Sequence, residues 1–172
     1  MEVSTIRPEQ PKDISLIYTL LTSCFPTDAE ARLVDALRGS GNLKISLVYL
    51  TPDNILVGYV AFSPVSIDGE SQLGISLAPV AVHENYRKKG IAFQLIDEGL
   101  RLCEDMSYKW SCVLGDPKYY GRFGYERASK HGLGDEYEGG EAFQVMKIGE
   151  NGAVPKTKGI VKYVKEFQIF NA

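Results

Sequence analysis

The chain is poor in histidine, tryptophan and cysteine, with two, one and three among its 172 residues. Cys24, Cys103 and Cys112 are too few and too widely spaced for a disulfide framework, and they point to a reducing compartment. His83 and His131 stand apart, and neither HExxH nor CxxC occurs, so no metal site is expected. An excess of either charge is also lacking: 19 Lys and Arg against 22 Asp and Glu leave a net charge of -3. That argues against a nucleic-acid binder, which gains affinity by releasing counterions from phosphates to a basic surface. No apolar run approaches the roughly 18 residues of a membrane span. The opening MEVSTIRPEQ does not have the charged-then-apolar order of a signal peptide. The expectation is a cytoplasmic protein that engages neither membrane nor nucleic acid.

The apolar content, 44%, is enough for a self-sufficient core, because a chain of this length buries roughly 70% of its unfolded surface. Val3 to Arg7 reads as a short strand stopping at Pro8. From Pro11, Ile14, Ile17, Leu20 and Leu21 fall on one helical face, with Asp13 placed to cap or favour the first turn, and Pro26 breaks the pattern. A second helix runs from Asp28 through Leu33, Val34 and Leu37 and is expected to end at Gly39.

Strands at 45–50, 55–62 and 71–82 follow, joined by the turn residues 51–54 and by the hairpin signal Asp68-Gly69. In the third, Leu73, Ile75 and Leu77 alternate with Gln72, Gly74 and Ser76. The period then changes. Ile91, Ala92, Leu95, Ile96, Leu100, Cys103 and Met106 form a broad stripe on a helix predicted over 89–106, before a short apolar strand at 110–114. Strand, helix and strand make a βαβ unit, which demands a parallel crossover. A short helix or turn over 117–123 stops at Gly124. Closing strands are expected at 125–128 and 141–148, joined by a Gly-rich acidic loop, and a last amphipathic piece at 160–170. The predicted class is α/β, a mixed and mostly antiparallel sheet that splays in the middle, with helices on both faces. Residues 1–150 are read as one domain, and 151–172 as a C-terminal extension packed on or beside it.

The stretch from Ala78 to Ala92 carries the chemistry. Arg87-x-x-Gly90-x-Ala92 opens a long helix, and a helix N-terminus offers unpaired N–H groups and a positive dipole end to a phosphate. Gly90 and Ala92 are small enough to let an anion approach the backbone. Neither a GxGxxG nor a GxxxxGK[ST] loop is present. Pro79 cannot donate to a ladder, so it marks an edge, a bulge or a splay. Where the strand parts from its neighbour, Val80, Ala81 and Val82 are left to pair with an amide-rich ligand as an added strand does. A phosphate cradle beside an amide-reading strand suits the pantetheine diphosphate of coenzyme A.

This arrangement resembles the GNAT superfamily of N-acetyltransferases, whose signature is [Arg/Gln]-x-x-Gly-x-[Gly/Ala]. A second stretch, Val113-Leu114-Gly115-Asp116-Pro117-Lys118-Tyr119-Tyr120-Gly121-Arg122-Phe123-Gly124-Tyr125, is similar to the YhbS-like branch. So are Glu141-Ala142-Phe143 and the tail Gly159-x-Val161-x-Tyr163-x-x-x-Phe167. The resemblance covers nearly the whole chain and implies a GNAT-like acyl-CoA N-acyltransferase fold. It implies acetyl transfer from acetyl-CoA, as co-substrate, to a primary amine. Backbone groups of Val80, Ala81 and Val82 would hold the pantetheine, and those of Arg87, Lys88, Lys89, Gly90, Ile91 and Ala92 the pyrophosphate. Tyr120, four residues before Gly124, stands where family enzymes often carry the tyrosine that protonates the leaving thiolate. A backbone N–H near Val82 would stabilise the tetrahedral oxyanion. No metal is implied. The acceptor is a small-molecule or protein amine, and the protein a monomer or homodimer.

One part departs from the family pattern. Many members carry a Glu on the central strand to deprotonate the amine, and residues 71–83 contain no Asp or Glu. Glu70, Glu84 and Glu138 are the alternatives, and the sequence does not choose among them. The rival reading is an acyl-CoA or acyl-carrier sensor with little turnover. Smaller expectations complete the picture. His83 is structural or capping, and Tyr119 is an ordinary core aromatic. Asp116 caps the turn that begins at Pro117. The loop of Asp135, Glu136, Glu138 and Glu141 is a solvated turn, or else attracts a cationic acceptor.

Overall fold

The computed structural model describes residues 3–171. It is a mixed α/β fold whose strands are β1 (Thr5–Pro8), β2 (Ile45–Leu50), β3 (Leu56–Ile67), β4 (Glu70–Val82), β5 (Trp110–Leu114), β6 (Glu126–Arg127), β7 (Leu133–Asp135), β8 (Phe143–Lys147) and β9 (Gly159–Tyr163). The helices are α1 (Ile14–Cys24), α2 (Ala29–Ser40), α3 (Ile91–Asp105) and the single turn α4 (Pro117–Tyr120). The chain forms two compact units. One holds the chain up to Phe62, Ala78–Gly99 and the segment from Lys165 onward; the other holds Ser63–Leu77 and Leu100–Val164.

In the first unit, β1, β2 and the first half of β3 form an antiparallel meander. The apolar faces of α1 and α2 meet it. Ile17, Leu20 and Leu21 pack with Ala31, Val34, Val48, Leu50, Tyr59, Ala61 and Ala81 in one buried cluster. Burying such a side chain contributes about 1.5–3 kcal/mol for the larger residues, so this cluster is what fixes the helices. Asp13 serves the helix start as expected: it stands at the N-cap position of α1, and its carboxylate closes a capping box with Gln10 around the 3-10 turn Pro11–Asp13. It is 1% exposed, accepts from Arg7 at 2.6 Å and from the Gln10 N–H at 2.7 Å, and ties β1 to the start of α1. α2 passes through Gly39 and ends one residue later than predicted, at Ser40. The left-handed C-cap is Gly41, φ 83°. Two glycines bring α3 close to β3. A β-carbon at Gly58 would lie 2.9 Å from Ile91, and one at Gly99 would lie 2.3 Å from the Phe62 ring. The N-terminal half of α3 is seated by these approaches.

In the second unit, β4 pairs with β5 in parallel over Gly74–Ser76, as the βαβ reading requires, and β5, β8 and β6 follow antiparallel. Trp110, Cys112, Phe143, Val145, Val161 and Leu133 fill the core. The expected alternation in β4 fails at its start. Gln72 and Leu73 both have positive φ, and Leu73 is 47% exposed. Their carbonyls accept from the Trp110 indole at 3.0 Å and the Lys109 N–H at 2.9 Å, while Gly74 leaves room for the Trp110 ring. Met106, predicted on the buried stripe, lies beyond the helix end and is exposed. The acidic connection is more than a loop. It contains a 3-10 turn at Ala128–His131 and β7, which pairs in parallel with β9; β9 also pairs with β3. β9 and a 3-10 segment, Lys165–Asn171, occupy the stretch read as one amphipathic piece.

Candidate active site

The end of β4 and the turn into α3 lie in the first unit. The Ala81 side chain sits in the core cluster, which leaves Val80 and Val82 flanking it on a strand fixed by packing. His83 N–H donates to the Val57 carbonyl at 2.8 Å, so the residue just past β4 is still bonded to β3. The Val82 carbonyl accepts from the Arg87 Nε at 2.9 Å and from the Cys24 thiol at 3.5 Å. Arg87 therefore pins the turn as well as charging it. His83 Nδ1 accepts from the Asn85 N–H at 3.1 Å, the capping role expected of it.

Beyond this turn the backbone is unusual. Lys88 and Gly90 are both left-handed, φ 63° and 79°. The Gly90 carbonyl accepts the first helical bond, from Gln94 N–H at 3.1 Å, so Gly90 is the N-cap and α3 starts at Ile91, not at Lys89 as predicted. The N–H groups of Ile91 and Ala92 belong to the first turn, which has no intrahelical acceptors, at the positive end of a 15-residue helix. A β-carbon built on Gly90 would meet nothing within 4 Å. Arg87, Lys88, Lys89 and Gly90 are exposed, and Ile91 is buried against β3. Lys89 Nζ lies 5.5 Å over the Tyr86 ring. A left-handed glycine with open space above it, the first-turn amides and three exposed cations are the features that would favour an anion here.

The second motif lies in the second unit. Asp116 accepts from the Lys118 N–H at 3.0 Å and precedes Pro117, so it caps α4 as read. The Tyr120 ring lies on the α-carbon of Gly115, where a β-carbon would come within 2.3 Å of it. Tyr119 and Tyr125 meet it edge-on at 5.0 and 5.9 Å. Gly124, φ 108°, ends the turn. Burial, and then the neighbouring Tyr119, push the Tyr120 phenol up to about 12.

The three carboxylates left open by the sequence sit on exposed backbone. Glu70 starts β4, Glu84 lies in the 3-10 turn after His83, and Glu138 has φ 53° on the rim of a cleft of about 510 Å³. That cleft is lined by Arg127, Asp135, Glu138, Glu141, Phe143 and Ile160, among others. The acidic loop is only partly a solvated turn. Asp135 is buried and accepts from the Gly139 N–H at 2.7 Å and the Tyr137 N–H at 3.3 Å, while Glu141 pairs with Arg127 at 3.0 Å. Cys103 and Cys112 are buried, and burial pushes both thiols well up, away from nucleophilic use. Sequence reasoning passed over Glu30. Its Oε1 is buried and has no hydrogen-bond partner among the described residues. In the sequence it is one more acidic residue in a helical first turn, and only side-chain packing distinguishes it.

Residues 5–128 match the family model described as acetyltransferase (GNAT) domain. The chain is 42% identical over 166 residues to the uncharacterized N-acetyltransferase YhbS of Escherichia coli (strain K12), covering 96% of this chain and 99% of that protein. A crystal structure of YhbS from Escherichia coli in complex with CoA aligns with a TM-score of 0.89 at 40% identity, over 100% of this chain and 94% of that one. A GNAT family acetyltransferase from Brucella melitensis in complex with acetyl-CoA aligns with a TM-score of 0.81 at 31% identity, over 97% and 99%.

Proposed function

The chain belongs to the GNAT family of acetyltransferases, and from that membership we infer that it moves an acetyl group from acetyl-CoA to a primary amine by direct transfer. The observation that carries the reading is the turn from β4 into α3, where left-handed Gly90 opens onto free space before an uncapped first helical turn. Backbone groups of Val80, Ala81 and Val82 hold the pantetheine amides. Those of Arg87 through Ala92 hold the diphosphate, with Lys88 and Lys89 adding charge. Val82 offers an N–H to the oxyanion.

Proton balance sets the roles. The acceptor arrives as an ammonium near pKa ~10.4 and gives up one proton to reach its nucleophilic form. Attack on the thioester carbonyl forms the C–N bond, the C–S bond then breaks, and the nitrogen gives up a second proton. The departing sulfur is a thiolate of a thiol near pKa ~8.5. Tyr120, raised to about 12, keeps its proton throughout the neutral range. Complete transfer from it to the thiolate is uphill by about 3.5 units, roughly 5 kcal/mol. Its contribution is therefore a hydrogen bond to the developing thiolate, the general-acid position of the motif used as electrostatic support.

The acceptor is a small-molecule or protein amine, and the protein works as a monomer or homodimer in the cytoplasm. Three unpaired cysteines support a reducing compartment, and no helix among the described residues is long and apolar enough to cross a membrane. Thiol release from acetyl-CoA with a broad amine panel tests the reading. Amine-dependent release is expected. Tight CoA binding with no release for any amine would favour the sensor instead.

A further inference from the structure

The structure assigns to Gln144 the positioning of Tyr120: its buried amide holds the backbone on which the phenol is seated. This inference rests on the acetyl-transfer reading above and adds a residue that acts through Tyr120 without touching the reacting atoms.

The Tyr120 hydroxyl is treated differently from those of Tyr59 and Tyr125. Tyr59 OH bonds Ser46 Oγ at 2.8 Å, and Tyr125 OH bonds Ser111 Oγ at 2.8 Å. Among the described residues, Tyr120 OH has no such partner. No protein hydrogen bond aims it, so its direction is set by ring contacts and by the backbone that carries it. The tightest of those contacts is Gly115, where a β-carbon would lie 2.3 Å from the ring. Packed groups move with what they touch, so a displacement of Gly115 passes directly to the phenol.

The place of Gly115 is set from β8. Gly115 is the first residue beyond β5, and its N–H donates to the Ala142 carbonyl at 3.0 Å. Its carbonyl accepts from Gln144 Nε2 at 3.2 Å, and the same Nε2 donates to the Ala142 carbonyl at 3.3 Å. A primary amide carries two N–H groups, so one nitrogen serves both carbonyls. Gln144 is 1% exposed and stands opposite Val113 on β5 and Arg127 on β6. The backbone pairing of β5 with β8 already runs from Trp110–Lys147 to Leu114–Phe143, so the sheet does not need this amide to close. The amide reaches past the strand end instead. By holding the Gly115 carbonyl it fixes the peptide plane between Gly115 and Asp116. Asp116 caps α4 with its side chain, and its carbonyl accepts the N–H groups of Tyr119 at 3.1 Å and Tyr120 at 3.0 Å. One line of bonds thus runs from Gln144 through Gly115 and Asp116 to Tyr120.

Gln144→Met keeps the volume and removes the donors. Thiol release from acetyl-CoA, with cadaverine, lysine methyl ester and a tripeptide amide as acceptor probes, should show kcat lowered about 5- to 20-fold and the KM for acetyl-CoA within about twofold. In a Tyr120→Phe background the same substitution should change kcat by less than about twofold, because no hydroxyl is left to misplace. Equal losses in the two backgrounds, or no loss in the first, overturn the inference, since the amide then serves the fold alone. Full kcat in Tyr120→Phe by itself removes the phenol from the reaction and overturns the inference with it. A second measurement needs no turnover. The nuclear Overhauser effect between the Gly115 α-protons and the Tyr120 ring should weaken at least about twofold in Gln144→Met; an unchanged effect overturns the inference. Gln144→Asn keeps an amide one methylene short of both carbonyls, carries the same expectations, and replaces Gln144→Met if that variant does not fold. A wild type that releases no thiol with any of the three amines would instead sink the acetyl-transfer reading, while the Overhauser effect still reports whether Gln144 holds Tyr120.

Discussion

Two turns dominate the account, and they are built in opposite ways. The turn over 83–92 exposes Arg87 to Gly90, and what it offers is backbone: two left-handed residues, an open α-carbon and a bare helix start. The turn over 115–125 packs its aromatics together, with Tyr125 buried and Tyr119, Tyr120 and Phe123 half-buried. Gly115 is there to receive a ring, Asp116 to cap, and Tyr119 and Tyr125 to hold Tyr120 edge-on. A site that reads amides and phosphates needs a fixed backbone with little in front of it. A site that presents one phenol needs a fixed side chain. Substitutions in the first should act on ligand affinity, and those in the second on turnover and stability.

The sharpest way to break this contrast is Tyr120→Phe. Loss of the hydroxyl should lower kcat about 100-fold with acetyl-CoA affinity retained; an unchanged kcat in steady-state assays removes Tyr120 from the reaction. Gly90→Val comes next. A branched residue is strained at φ 79°, so the melting temperature should fall by a few degrees, and its side chain would enter the open space, so the Kd for CoA of the folded protein by calorimetry should weaken at least about tenfold. Equal losses of affinity from both variants would erase the distinction between the turns. Asp116→Ala should cost about 1 kcal/mol in denaturant unfolding, by loss of the cap. The smallest effect is in alkali. The Tyr120 value is raised above that of the unfolded chain, so its contribution to stability is whole below about pH 10 and is lost as pH rises toward about 12. Pairwise comparison of wild type and Tyr120→Phe in alkaline melts should show a shallower decline for the variant.

Much of this was legible because local signals agreed. Dipeptide Asp68-Gly69 marked its hairpin, Asp116-Pro117 its capped turn, and the change from period 2 to 3.6 after Val82 marked the βαβ unit. The misses have physical reasons. β7 has three residues and finds β9 some two dozen positions later, so neither carries a pattern of its own. Leu73 escapes the alternation because two left-handed residues turn it outward, a choice made by Trp110 seated on Gly74. Asp13 supports the helix start as read, while its second partner, Arg7 on β1, comes from the way the chain folds back and not from local spacing. The sequence motifs point to the proposed cofactor side, which is backbone and therefore local. Glu30 was invisible because an orphan atom is defined by everything packed around it.

The central claim is that backbone between Val80 and Ala92 grips coenzyme A. Amide NMR of the whole chain, titrated with CoA, tests it directly. The account predicts large shifts and slowed exchange at Val80, Val82, Gly90, Ile91 and Ala92. Binding that leaves those amides unmoved would contradict it.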